Sequence, residues 1–148
     1  VKDILDQSVI DLKMNVSDKH SAIEHLSQLL YQAGYLSDLS GYIKDVYVRE
    51  SEGITGMGNH IAIPHGKSNF VKKVGIAIGK SEKMVEWESY DDQPVNYIFL
   101  FAVPSDNENA KVHLKLLAEL ASKLGNDSIM KKLEHCTHFE ELEEVFST

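Results

Sequence analysis

Three histidines, an arginine and a run of glycines carry the chemistry this sequence could do. His65 stands in Ile61-Ala62-Ile63-Pro64-His65-Gly66-Lys67, where a short apolar run ends. Pro64 has its φ fixed at roughly −65° by its own ring, so the imidazole that follows is presented from stiff backbone. A neutral imidazole keeps a nucleophilic lone pair near pH 7 and can accept a phosphoryl group covalently. The plainer reading of the same residues is a Pro-His-Gly turn.

Upstream, Arg49-Glu50 precede Gly53-Ile54-Thr55-Gly56-Met57-Gly58-Asn59. Transfer of a phosphoryl group is limited by alignment and by neutralising charge on its equatorial oxygens. Arg49 offers planar, permanently charged donors for those oxygens, or is a solvated charge at a helix end. His113 could bond a phosphate or hold His65 in place, or simply cap a helix. Thr55 could donate its hydroxyl, and the glycines around it could bring amides close to an anion. Glu50 reads as an orienting partner for Arg49 or a backbone acceptor, since a carboxylate facing a phosphate adds only repulsion. Lys67 could draw in the acidic side of a partner.

Other constellations are weaker. His60, His65 and His113 invite a metal site, but His60 and His65 are an odd number of residues apart across an apparent strand. That offset sends their side chains to opposite faces unless Pro64 redirects the chain. Zinc-type ligand spacings are absent, so neither metal nor cofactor is expected. Cys136 lies between His135 and Thr137, near His138, yet adjacent residues seldom face one another usefully, and the cluster reads as helix-terminus chemistry. Trp87, between Glu86 and Glu88, reads as core or rim packing.

The elements that must position these residues follow from apolar spacing. Ser17 could cap a helix with Ala22, Ile23, Leu26, Leu29, Leu30 and Ala33 on one face, stopped by Gly34. A second helix is expected after Ser37, with Arg49 and Glu50 in its last turn. The glycine-rich stretch 53–59 reads as a loop. Ile61–Ile63, Val74–Ile78 and Val95–Val103 read as strands, the last covered on both faces and stopped by Pro104. Leu114, Leu117, Leu120, Ala121 and Leu124 define a helix from about Glu108, closed by Gly125, and Asn126 could start a short one. Thr137-His138-Phe139-Glu140 has the form of a capping box before a terminal helix. Helices at both ends around a middle of strands predict a three-layer α/β/α sandwich, one domain spanning residues 1–148.

Composition narrows the function classes. The 148 residues are 43% hydrophobic and 26% charged, as expected of an ordinary globular domain. With 15 Lys and Arg against 23 Asp and Glu, the net charge is −8, which opposes broad contact with nucleic acid or anionic lipid. A single cysteine excludes an intrachain disulfide framework and suits a reducing compartment, so a cytoplasmic setting is expected. No stretch reads as a signal h-region or a membrane span.

The ordered series Arg49-Glu50, Gly53 to Asn59, and Ile61 to Lys67 resembles the signature of the type-2 EIIA domains. These form the fructose and mannitol branch of the bacterial phosphoenolpyruvate-dependent sugar phosphotransferase system. Ala33-Gly34-Tyr35, the strand before Pro104 and His113-Leu114 extend the resemblance over most of the chain. It implies a mixed central sheet flanked by helices. It also implies phosphorylation of His65 by the carrier protein HPr and onward transfer to an EIIB domain, with the sugar entering through EIIC. The family's second histidine matches His113 and its active-site arginine matches Arg49. His60 falls where relatives often carry glycine. Asp92-Gln93-Pro94-Val95 looks more like the fructose-type transport proteins than the nitrogen-related regulators of the same fold, in which phosphorylation controls a partner.

Overall fold

The computed structural model describes residues 2–106 and 108–147; Val1 and Thr148, the outermost residues of the expected domain, lie outside them. Two 3₁₀ turns, Lys2–Ile4 and Gln7–Val9, lead into strand β1 (Ile10–Met14). Helices α1 (Lys19–Gln32) and α2 (Leu39–Glu50) follow. Short strands β2 (Gly56–Gly58), β3 (Ile61–Ala62) and β4 (His65–Ser68) precede the long β5 (Gly75–Val85) and β6 (Val95–Pro104). Helices α3 (Glu108–Leu124), α4 (Asp127–His135) and α5 (Phe139–Phe146) complete the chain.

The strands form one mixed sheet in the order β1-β5-β6-β3-β2, with β4 also on β6. Strands β1 and β5 are parallel, β5 and β6 antiparallel, and β3 and β4 both run parallel to β6. Side chains of β6 alternate between two cores, which explains its unbroken apolar sequence. Ile98, Leu100 and Ala102 pack with α1 and α2, through Ile23, Leu26, Tyr42 and Val46. Tyr97, Phe99, Phe101 and Val103 pack with Leu120, Leu133, Leu142 and Phe146 of the C-terminal helices. This is the expected three-layer α/β/α sandwich.

Local chemistry moves several boundaries. The caps of α1 and α2 are Asp18 and Asp38, each one residue after the expected serine. Their carboxylates accept from Ser21 N at 2.7 Å and Gly41 N at 2.9 Å, and a carboxylate is the stronger acceptor at a positive helix end. Gly34, at φ 86°, ends α1 while Tyr35 N donates to Leu30 O at 3.0 Å. The capping box of α5 uses Glu141 in place of Glu140; its Oε1 accepts from Thr137 N, Thr137 Oγ1 and His138 N at 3.0–3.2 Å. Strand β1 precedes the expected first helix, and its alternation Ile10-Asp11-Leu12-Lys13-Met14 is a strand signal. The glycine stretch expected as a loop contributes β2. Strand β5 outruns Val74–Ile78 because its outer half, with Glu82, Lys83 and Met84 exposed, lacks an apolar face.

One close approach fixes the segment that carries His65. A Cβ added to Gly66 would fall 2.2 Å from Tyr42 Oη. Tyr42 is fully buried and donates that hydroxyl to Phe101 O at 2.9 Å, so neither partner has room to retreat. Gly66→Ala is therefore expected to cost at least about 2 kcal/mol through overpacking, read as a lower urea midpoint at unchanged slope. An unchanged midpoint would mean that the contact between α2 and β4 is slack.

Candidate functional site

His65 sits where β4 begins, on the edge of β6. The β3–β6 register of Ile61 opposite Tyr97 and Ala62 opposite Ile98 carries through Pro64 to His65 opposite Phe101. Pro64 interrupts the pairing, having no N–H, but its carbonyl still accepts from Phe101 N at 3.1 Å. His65 therefore shares the face of Ile61 and Ile63, on the side of α3. Its ring lies on Phe101 at 6.1 Å between centroids, 18° from parallel.

His113, in the first half of α3, meets His65 edge to face at 5.6 Å and tilts over Phe101 at 5.3 Å. Phe101 is fully buried and serves as the floor beneath both imidazoles. Its role was invisible in an apolar strand, because only pairing register shows which phenylalanine lies opposite His65.

Arg49 arrives from the opposite layer. Tyr42, Val46 and Arg49 follow one stripe of α2, and Tyr42 and Val46 are buried. Helix α2 is tied to β4 by the Tyr42 contact and by Ser68 Oγ donating to Asp45 Oδ2 at 2.5 Å. At the end of that stripe the Arg49 guanidinium is close enough to bias the charge of His65.

The electrostatics keep His65 neutral. Burial first, then the Arg49 cation, then His113, push the pKa of His65 down from 6.5 to about 4. Burial and the Lys67 cation also lower His113. Arg49 and Lys67 thus supply positive charge around two neutral imidazoles in a chain whose net charge is −8. His65 Nδ1 and His113 Nε2 are both buried without a hydrogen-bond partner among the described residues. Orphaned polar atoms of this kind are uncommon, and two in touching rings mark a place built for something other than stability.

Because the folded pKa lies below that of a free imidazole, His65 stays uncharged as pH falls through 6.5 and takes up its proton only around 4. The associated stability is complete above about 6.5 and declines as pH drops towards about 4. NMR titration of the His65 ring is expected to give a midpoint near 4. A midpoint at 6.5 would place the ring in open solvent, free of Arg49.

Thr55 and Glu50 stand beside this centre with other commitments. Thr55, 1% exposed, donates Oγ1 to Glu50 Oε1 at 2.9 Å and accepts from Trp87 Nε1 at 2.9 Å. Its hydroxyl proton is therefore directed to Glu50, away from any role as a phosphate donor. Glu50 Oε1 also pairs with Lys19 Nζ at 2.8 Å, in place of the expected Arg49. Trp87 is buried as expected, but it is a hydrogen-bonding member of this network, a role that its apolar bulk concealed.

His60 stays apart. It adopts φ 63° beside Asn59 at φ 54°, which accounts for a position that glycine suits, and its Nδ1 lies 2.8 Å from Pro94 O. Among the described residues no His, Cys, Asp or Glu cluster could hold a metal. Cys136 is buried, with Sγ donating to Lys132 O at 3.2 Å, and burial raises its pKa; it is not a poised nucleophile.

Residues 3–148 match the family described as phosphoenolpyruvate-dependent sugar phosphotransferase system, EIIA 2. The chain belongs to this family. As a type-2 EIIA domain it is a component of phosphoryl transfer. It is 34% identical over 133 residues to the fructose-specific EIIABC component of Bacillus subtilis, a match covering 90% of this chain and 21% of that protein. The EIIA domain thus spans about a fifth of that relative's length. It is 31% identical over 150 residues to the nitrogen regulatory protein of Klebsiella oxytoca, covering 99% of this chain and 90% of that one. The solved nitrogen regulatory protein IIA-Ntr of Neisseria meningitidis superposes with a TM-score of 0.88 at 31% identity, covering 98% and 97% of the two chains. No helix among the described residues is long and apolar enough to cross a membrane.

Proposed function

We propose that this domain is a fructose-type EIIA phosphocarrier of the cytoplasm: His65 takes a phosphoryl group from phospho-HPr and gives it to an EIIB domain, for a sugar entering through EIIC. The observation that carries the reading is the convergence of Arg49 from α2, His65 from β4 and His113 from α3 on one buried aromatic floor. Because Nδ1 is buried, the lone pair that meets the phosphorus is that of Nε2. A nitrogen–phosphorus bond forms there as the donor's bond to phosphorus breaks, and the transferred group leaves again by the reverse geometry.

Neutrality of His65 keeps its lone pair available, and Arg49 takes up charge on the equatorial oxygens. Lys67 extends that positive rim beside the neutral His113, and the acidic remainder of the surface directs an anionic donor group towards it. Thr55 and Glu50 serve as supports behind the centre. The relative named an EIIABC component joins the A, B and C parts in one chain, which supports EIIB as the acceptor.

A regulatory role has its own support in the match to the Klebsiella oxytoca protein, which covers 90% of that chain. The two readings share His65 and part afterwards. Offering the phosphorylated domain to a panel of EIIB domains separates them. Loss of the group to one EIIB is expected, and retention against every EIIB would favour the regulator.

A further inference from the structure

Behind Arg49 lies a polar network that the transfer chemistry does not itself require. Lys19, the first residue of α1, has Nζ 2.8 Å from Glu50 Oε1 and 2.8 Å from Glu88 Oε2, and 5.0 Å above the Trp87 ring. Glu50 Oε1 accepts from Thr55 Oγ1, which in turn accepts from Trp87 Nε1. The Lys19 side chain is 18% exposed and that of Glu50 only 5%, so the pair is held largely out of water.

These bonds close around the segment between α2 and β2. Gly56 N donates to Glu88 O at 3.0 Å, and Ile63 N to Thr55 O at 2.9 Å. Residues 51–56 are thereby fastened to the 87–90 segment on one side and to the approach to His65 on the other. Arg49 lies against this segment: a Cβ built on Gly53 would stand 3.7 Å from Arg49 Nη1. An arginine side chain has several rotatable bonds, so a wall beside its guanidinium decides where the charge sits.

We propose that Lys19 and Trp87 are positioning residues for phosphoryl transfer, acting through Glu50 and Thr55 on the 51–56 segment and so on Arg49. This rests on His65 being the acceptor. Neither residue touches the transferred group. Lys19 anchors the Glu50 carboxylate, Trp87 orients the Thr55 hydroxyl, and Thr55 hands its proton to the same carboxylate oxygen. Loosening either end lets the segment and the guanidinium drift, and a misplacement of about 1 Å can cost up to roughly a hundredfold in rate.

The test is a set of cycles on transfer from phospho-HPr, with Lys19→Met and Trp87→Phe made in the native and in the Arg49→Ala backgrounds. Trp87→Phe removes the indole N–H together with the smaller ring but leaves no buried charge unpaired, which guards against a Lys19→Met that folds poorly around an unpaired Glu50. In the native background each variant is expected to slow transfer about tenfold. In Arg49→Ala neither is expected to slow it further. The His65 ring should also titrate at higher pH in both single variants, since Arg49 stands less close, and Lys19→Arg should restore rate and titration.

Equal slowing in both backgrounds, or native rates for the folded single variants, would overturn the proposal. A wild-type domain that takes no phosphoryl group would defeat the acceptor reading itself, and the His65 titration would still report on Arg49.

Discussion

His65→Ala is expected to take no phosphoryl group from phospho-HPr while keeping its fold. His65 lies at an edge of β6, its ring half-buried on Phe101, so truncation removes a surface-facing imidazole and leaves both cores closed. The loss should be complete because no neighbour can stand in. His113 is the nearest imidazole, yet its ring centroid lies 5.6 Å from that of His65, too far to take up a group aligned on the His65 nitrogen. Intact mass after incubation with phosphoenolpyruvate, enzyme I and HPr reads the outcome. Labelling of the folded variant at the native level would remove His65 from the account.

Arg49→Ala should slow transfer by about a hundredfold or more, the usual effect of deleting a preorganised donor aimed at transition-state charge. Arg49 is the second cause, after burial, of the low pKa of His65, so its removal should also move the His65 midpoint upwards, though still below 6.5. The two effects have opposite bearings on reactivity. A more basic imidazole is intrinsically the better nucleophile, so a slower variant with a raised midpoint isolates the loss of charge stabilisation at phosphorus. Arg49→Lys should recover only part of the rate, since an ammonium keeps the charge and loses the planar fork. Stopped-flow transfer rates beside NMR titration of His65 check both. A native rate in folded Arg49→Ala would leave the guanidinium without a catalytic role.

Much of this was legible in the chain before any coordinates. The three-and-four spacing from Ala22 to Ala33 and the unbroken apolar run Val95–Val103 predict helix and central strand correctly, because burial on one stripe or on two faces leaves its periodicity in the sequence. Pro64-His65-Gly66 pointed to the histidine on which His113 and Phe101 converge, and the tight fit of Gly66 beneath Tyr42 explains why a glycine follows it. What stayed hidden depends on register and on partners distant in sequence. Thr55 looked like a free hydroxyl near an anion, and only the arrival of Trp87 and Glu50 from other segments shows that it is already committed. Glu50 reads from sequence as a partner for Arg49 or a backbone acceptor, but adjacent helix residues point in different directions, and the cation it meets comes from α1. Strand β1 alternates cleanly and was legible, yet its charged residues and short length made it easy to pass over.

The central claim concerns one nitrogen of one side chain. Phosphorylating the wild-type domain with phosphoenolpyruvate, enzyme I and HPr, and following the ring nitrogens of His65 by NMR together with intact mass, tests it most directly. The account predicts one phosphoryl group per chain, bonded to Nε2 of His65. A group on any other residue, or no group at all on a folded domain, would contradict it.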